Sequence, residues 1–285
     1  MPINGIALID KPVGFTSHDV VAKLRGVLKT KKVGHAGTLD PDATGLLVIG
    51  VGHGTKLMNY LSGATKSYSA KVLLGRSTTT DDAQGDLVKV ADTALIQSID
   101  EPLVRETIER FHGRQMQLPS KVSAKKIDGK KAYELVREGK EFELAPVEIE
   151  ITKLAMTNYK KSEFIEFDLE VDCSSGTFIR ALARDIGDTL GIGGHLTGLR
   201  RTKVGTFSVE NATDIQSADP MSMLTAAEEI LPIKQVSDSE AIDISFGRPL
   251  AYKSEHEFLA IVHGDRLIAI ASGGEKLSPK TVFND

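Results

Sequence analysis

The chain has 285 residues and a formal net charge of −4, with 41% hydrophobic and 26% charged residues, values that exclude a disordered or fibrous protein. Its single cysteine excludes a disulfide framework and a zinc site built on paired cysteines. No apolar run reaches the roughly 20 residues that cross a bilayer, and MPINGIALIDKP lacks the basic start and apolar stretch of a secretory signal, so a cytoplasmic protein is expected.

Ile6 to Ile9 predicts an opening strand that stops at Asp10-Lys11-Pro12. Thr16 and Asp19 have the spacing of a capping box, and Val20, Val21, Leu24 and Leu28 then recur at helical intervals. An apolar strand is expected at Leu46 to Ile49, a helical segment from near Thr55, an alternating strand at Tyr68 to Val72 and a helix over 101–111. FIEFDLEVDC (164–173) alternates apolar and polar residues like a half-buried strand, and Ser174-Ser175-Gly176 turns it. Phe178, Ile179, Leu182, Ile186 and Leu190 mark the buried stripe of a helix ending at Gly191. The elements follow no regular βαβ rhythm, so the fold class expected is α+β. A break around Pro232 to Ser237 precedes a segment read as a small β-rich appendage.

The net charge is an average over unlike parts. Residues 208–260 carry ten acidic residues against Lys234, Arg248 and Lys253, whereas 1–207 carry +3. KLRGVLKTKK (23–32) has five basic residues and no acid, and 121–140 has seven basic against three acidic. Each cluster is either a solvated face or a surface for an anionic partner.

The densest chemistry lies in GHAGTLDPDATG (34–45). Pro41 disfavours a helical backbone at Asp40, which leaves an aimed carboxylate among glycines; the plainer alternative is a helix N-cap followed by proline. Arg180 falls in the first turn of its helix, where the macrodipole disfavours a cation. It therefore either pairs with a carboxylate, for which Asp40 is the natural choice, or faces solvent, as Arg184 one turn later is expected to do. Tyr68 is either core packing or a platform for an unpaired base. Gly50-Val51-Gly52-His53-Gly54 lacks the spacing of a dinucleotide loop, and the seven histidines show no i, i+4 pair, so neither nucleotide nor metal binding is expected.

GHAGTLDPDATG resembles the catalytic segment of the TruB family, the bacterial tRNA pseudouridine-55 synthases. The resemblance continues in order through GIALIDKPVGFTS (5–17), KSYSAKVLLG (66–75), TTTDDAQG (78–85), SAKKIDGKKAYELVREG (123–139), SSGTFIRALARDIG (174–187) and LTGLRR (196–201). It implies a mixed, largely antiparallel sheet flanked by helices in a catalytic domain over 1–235. An RNA-binding insertion would lie at about 120–140, and a short PUA-like module would occupy 236–285. It implies Asp40 as the catalytic aspartate, Arg180 as its ion-pair partner, Tyr68 stacked on the target base and Leu199 packed in the pocket. His35 would help rearrange the T loop, Asp82 would contact the flipped nucleotide, and Lys11 with Pro12 would lie near the pocket floor. Lys121, Lys125, Lys126, Lys130, Lys131, Arg200 and Arg201 are the basic residues placed to meet RNA backbone. Val122 and Phe178 depart from the aromatic and the tyrosine common at those positions.

The implied reaction breaks the bond from ribose C1′ to N1, turns the uracil and rejoins C1′ to C5, with Asp40 either attacking C1′ or acting through elimination at the sugar. No atom enters or leaves, so no cofactor or metal is expected. The partner implied is the T stem-loop of tRNA, with the protein a monomer and no obligate protein partner. A non-catalytic tRNA-binding or folding module, or a guide-RNA-dependent synthase, are the competing readings.

Overall fold

The computed structural model describes residues 3–122, 126–127, 130–131, 135, 138, 140 and 142–283. The chain divides into two compact units. One holds the residues up to Pro41, Gly45–Ser62 and those from Val204 onward; the other holds Asp42–Thr44 and Gly63–Lys203.

The first unit opens with strand β1 (Gly5–Lys11), helix α1 (Ser17–Val27), strands β2 (Val33–Ala36) and β3 (Thr44–Val51), and helix α2 (Met58–Leu61). β3 pairs antiparallel with β1, Gly5 facing Val51 and Lys11 facing Gly45, and with β2. β1 is buried almost throughout, which is why it reads as an apolar run without alternation. Its outer edge is covered by its own unit: Asp10 N donates to Thr213 O at 2.9 Å, and Met221 N donates to Ile6 O at 2.9 Å. Gly5 is required there, because a Cβ would lie 1.9 Å from Met221 O. The capping box of α1 forms as expected: Asp19 N donates to Thr16 Oγ1 at 3.0 Å, and Thr16 N donates to the Asp19 carboxylate at 2.9 Å. The Thr16 hydroxyl, which also donates to the Asp19 carboxylate at 2.6 Å, and the Thr16 amide together hold that carboxyl below its ordinary pKa. Val20, Val21, Leu24 and Leu28 pack with Ala7, Ile9, Leu47 and Ile49 into one core.

The second unit runs through β4 (Lys66–Leu74), the hairpin β5 (Arg76–Thr78) and β6 (Leu87–Val90), helices α3 (Thr93–Ser98) and α4 (Glu101–Glu109), and β7 (Gly113–Gln117). The short strands β8 (Lys126–Ile127) and β9 (Lys130–Lys131) pair with each other within the region expected as the insertion. Then follow β10 (Val147–Lys161), β11 (Ile165–Cys173), helix α5 (Ile179–Thr189) and β12 (Gly194–Val204). The sheet of this unit has the order β12-β4-β11-β10-β7, and β4, β11, β10 and β7 pair antiparallel in succession. Inward residues of β4 and β11 meet Val104 and Ile108 of α4 and Ile179, Leu182 and Ile186 of α5 in a single core.

The chain returns to the first unit with β13 (Phe207–Ser208), helix α6 (Met223–Ile230), β14 (Ile233–Gln235), helix α7 (Asp238–Ser245), and strands β15 (Ser254–His263), β16 (Arg266–Gly274) and β17 (Ser278–Val282). β14 to β17 form their own four-stranded sheet around Leu259, Ile261, Ala269, Ala271 and Leu277, with Ile244 of α7 packed on it. The fold is α+β, as expected, with a small C-terminal β module.

Candidate active site

In the first unit the backbone on both sides of Asp40 is fixed by buried polar groups. Ser17 Oγ accepts from Leu39 N at 2.9 Å and donates to Leu39 O at 3.2 Å. On the other side Pro41 O accepts from Lys11 Nζ and from Gly14 N, each at 2.9 Å. Asp40 itself is exposed, and the chain continues through a turn into β3. The N-cap alternative for Asp40 therefore fails: no helix follows it. What remains is a solvent-accessible carboxylate on a pinned segment.

Lys11 is fully buried, and its ammonium also donates to Pro12 O at 3.0 Å and Phe15 O at 2.5 Å. Its place is beneath the Asp40 segment, which it ties to the loop at 12–15. His35 is half-buried on β2, its ring 5.5 Å from that of His18 in a T-shaped contact.

In the second unit Arg180 lies in the first turn of α5 and is only 8% exposed. Nη1 donates to Thr80 O at 2.8 Å and lies 3.3 Å from Asp82 Oδ2, while Nη2 donates to Val122 O at 2.8 Å. A buried guanidinium at the positive end of a helix requires such compensation. Asp82 Oδ1 accepts from Thr80 Oγ1 and from Gln84 N, so the loop fixes its own carboxylate.

Arg184, expected to face solvent, does not. Its Nη1 lies 3.0 Å from Asp81 Oδ2, Nη2 donates to Leu118 O at 2.7 Å, and Nε contacts Asp185 at 2.9 Å. Periodicity missed it because the stripe 179, 182, 186 leaves position 184 off the apolar face, where only a tertiary ion pair buries it. Burial pushes the Asp185 carboxyl up against the pull of Arg184.

Tyr68 stands on β4 opposite Val171, largely buried and hydrogen-bonded to Arg201. Arg201 is 1% exposed. Burial lowers its pKa and that of Lys66, which also feels the Arg201 charge; Tyr68 works in the opposite direction on Arg201. Arg201 was grouped with the RNA-backbone residues, but its side chain lies in the interior and engages Tyr68. Arg200 is partly exposed, with Nη1 3.5 Å from Thr44 Oγ1, and Leu199 packs at the edge of the core. Lys121 is exposed. Lys126, Lys130 and Lys131 lie on β8 and β9, with their side chains outside the described residues, as is Lys125 altogether. Among the described residues no cluster of histidine, cysteine and carboxylate groups fits a metal.

Solved structures that share the fold include an H/ACA RNP bound to a substrate RNA containing 2′-deoxyuridine (23% identical, TM-score 0.70, 99% of this chain and 85% of that one covered). Another is the archaeal box H/ACA sRNP Nop10-Cbf5 complex (23% identical, TM-score 0.69, 98% and 86% covered). What the chain shares with them is the architecture. The sequence model described as TruB family pseudouridylate synthase (N terminal domain) matches residues 25–179, and that of the tRNA pseudouridylate synthase B C-terminal domain matches 180–232. The chain belongs to the TruB family of pseudouridylate synthases. Relatives named tRNA pseudouridine synthase B occur in Corynebacterium diphtheriae, 43% identical over 98% of this chain and 95% of the relative. The one from Rhodococcus jostii is 47% identical over 86% of this chain and 81% of the relative.

Proposed function

We propose that this protein converts the T-loop uridine at position 55 of tRNA to pseudouridine, with Asp40 as the catalytic carboxylate. The observation that supports this reading most directly is the Asp40 segment: an exposed carboxylate whose flanking backbone is tied to Ser17, Lys11 and Gly14. Glycosidic cleavage develops positive charge on the sugar, which a fixed anion stabilises without reorganising. In this reading Tyr68 and Leu199 receive the uracil, Arg180 supplies the cation of the catalytic group, Asp82 contacts the flipped nucleotide, and His35 helps rearrange the T loop. Extracting the uridine from its stack costs a few kcal/mol, offset by stacking and by basic contacts from Lys121, Arg200 and the lysines of the insertion.

The protein acts alone, as a cytoplasmic monomer, on tRNA that carries no guide. The test is to map pseudouridine in a bare tRNA transcript treated with wild type and with Asp40→Asn. Wild type is expected to modify one T-loop uridine, and Asp40→Asn to modify none while its tRNA affinity stays within about threefold. Full turnover by Asp40→Asn would remove the carboxylate from the mechanism. Modification only when a guide RNA is added would point to the guide-dependent class, and binding by wild type without modification would point to a folding module.

A further inference from the structure

Arg180 and Arg184 stand one turn apart on α5, so their side chains leave the same face of the helix. Each grips the same two segments. Arg180 takes Asp82 and Val122 O; Arg184 takes Asp81 and Leu118 O. The two aspartates are adjacent, and the two carbonyls flank the buried Ser120 at the start of the region expected as the insertion. Gln117 adds a third tie, with Nε2 donating to Phe178 O and Oε1 accepting from Phe178 N. The helix therefore holds the 79–82 loop and the 117–122 segment together through a ladder with one rung per arginine.

The upper rung explains a backbone feature of the loop. Asp81 has φ +60°, in the left-handed region that a side chain makes unfavourable, and its carbonyl accepts from Leu196 N at 3.1 Å. That conformation sets the direction in which the next residue, Asp82, projects. The Asp81 backbone is otherwise held by its carbonyl and by a long 3.5 Å bond from its amide to Thr78 O; the 3.0 Å contact from its carboxylate to a guanidinium with 19% of its side chain exposed fixes the side chain as well.

We propose that Arg184, acting through Asp81, is a positioning residue for pseudouridine formation: it holds the 81–82 backbone so that Asp82 is set to meet the flipped nucleotide. This rests on the functional reading given above. Asp185 alone could neutralise Arg184, since it accepts from Nε and Nη2 of the same side chain, so the Asp81 contact is more than charge balance.

The experiment is a double-mutant cycle in single-turnover pseudouridylation of tRNA, with wild type, Arg184→Met, Asp82→Asn and the double variant, alongside tRNA Kd and Tm for each. Arg184→Met is expected to lower the single-turnover rate about tenfold with Kd within threefold. In the Asp82→Asn background the same change is expected to lower the rate less than twofold, because the group being positioned is already gone. Equal losses in both backgrounds, or no loss in rate at saturating enzyme, would overturn the positioning role. If Arg184→Met melts below the assay temperature, Asp81→Asn takes its place in the same cycle, where additivity again counts against the proposal. A wild type that binds tRNA but never forms pseudouridine would fail the functional reading and this proposal with it, whereas an active wild type with additive variants fails the proposal alone.

Discussion

A buried ammonium is tolerated only when every proton finds an acceptor, and Lys11 meets that condition with the carbonyls of Pro12, Phe15 and Pro41. Lys11→Met keeps the volume but takes the donor from Pro12 O and Phe15 O, while Pro41 O keeps Gly14 N. An acceptor left without a donor costs about 1–3 kcal/mol when buried, so the variant is expected to lose stability in urea unfolding and, where it folds, to bind tRNA normally while turning over slowly. Cys173 provides a pH signature. Burial raises its pKa to about 11 from an ordinary 9, so the folded state keeps the thiol protonated. The stabilisation is fully present below pH 9 and is lost as pH rises through 11. Between those values wild type is expected to lose about 2–3 kcal/mol more than Cys173→Val, measured by urea unfolding. The sequence shows why Asp40 matters but not what holds it. Ser17 and Leu39 are 22 positions apart, and Lys11 and Pro41 are 30 apart, so no local pattern links them.

At the scale of elements, α1 does two things. Its apolar stripe builds the first core, and its first residue, Ser17, leaves the helix to hold Leu39. Ser17→Ala removes a hydroxyl that both donates and accepts, leaving the Leu39 amide without its partner. A loss of about 1–3 kcal/mol in stability is expected. The rate of pseudouridine formation is expected to fall more than the affinity for tRNA, read as a kcat effect at unchanged KM. Elements with a clean period were legible: α1, β4, β11 and α5 all lie where periodicity puts them. β10 was not, because its 15 residues carry register shifts near Ile151 and Thr157, with Asn158 at φ +53°, and each shift breaks the alternation. β12 was hidden for another reason: its LRRTK stretch reads as a charged tail until Arg201 is seen to be buried against Tyr68. Helix α7 was likewise missed, in a segment whose composition reads as β.

Over the whole molecule, charge is divided between a basic 1–207 and an acidic 208–260. tRNA binding is therefore expected to weaken linearly with the logarithm of salt concentration, reflecting counterions released from phosphate. Lys121→Ala and Arg200→Ala should each reduce that slope by about one, whereas Arg248→Ala, in the acidic stretch, should leave it unchanged. Filter binding at several salt concentrations reads this directly. Equal slopes for all three variants would move the RNA contact away from these residues. The C-terminal sheet, built from β14 to β17, would then deserve the same scan.

The covering of β1 by Thr213 and Met221 has a consequence for synthesis. The strand leaves the ribosome well before the segment that satisfies its outer edge, which follows roughly 200 residues later, about 10–40 s at ordinary elongation rates. Throughout that interval the nascent chain carries an unpaired, almost wholly apolar strand edge, the kind of surface that templates association. Slow elongation late in the message is thus expected to reduce yield more than slow elongation early on. Stalled chains should gain protease resistance near β1 only once Met221 has cleared the exit tunnel.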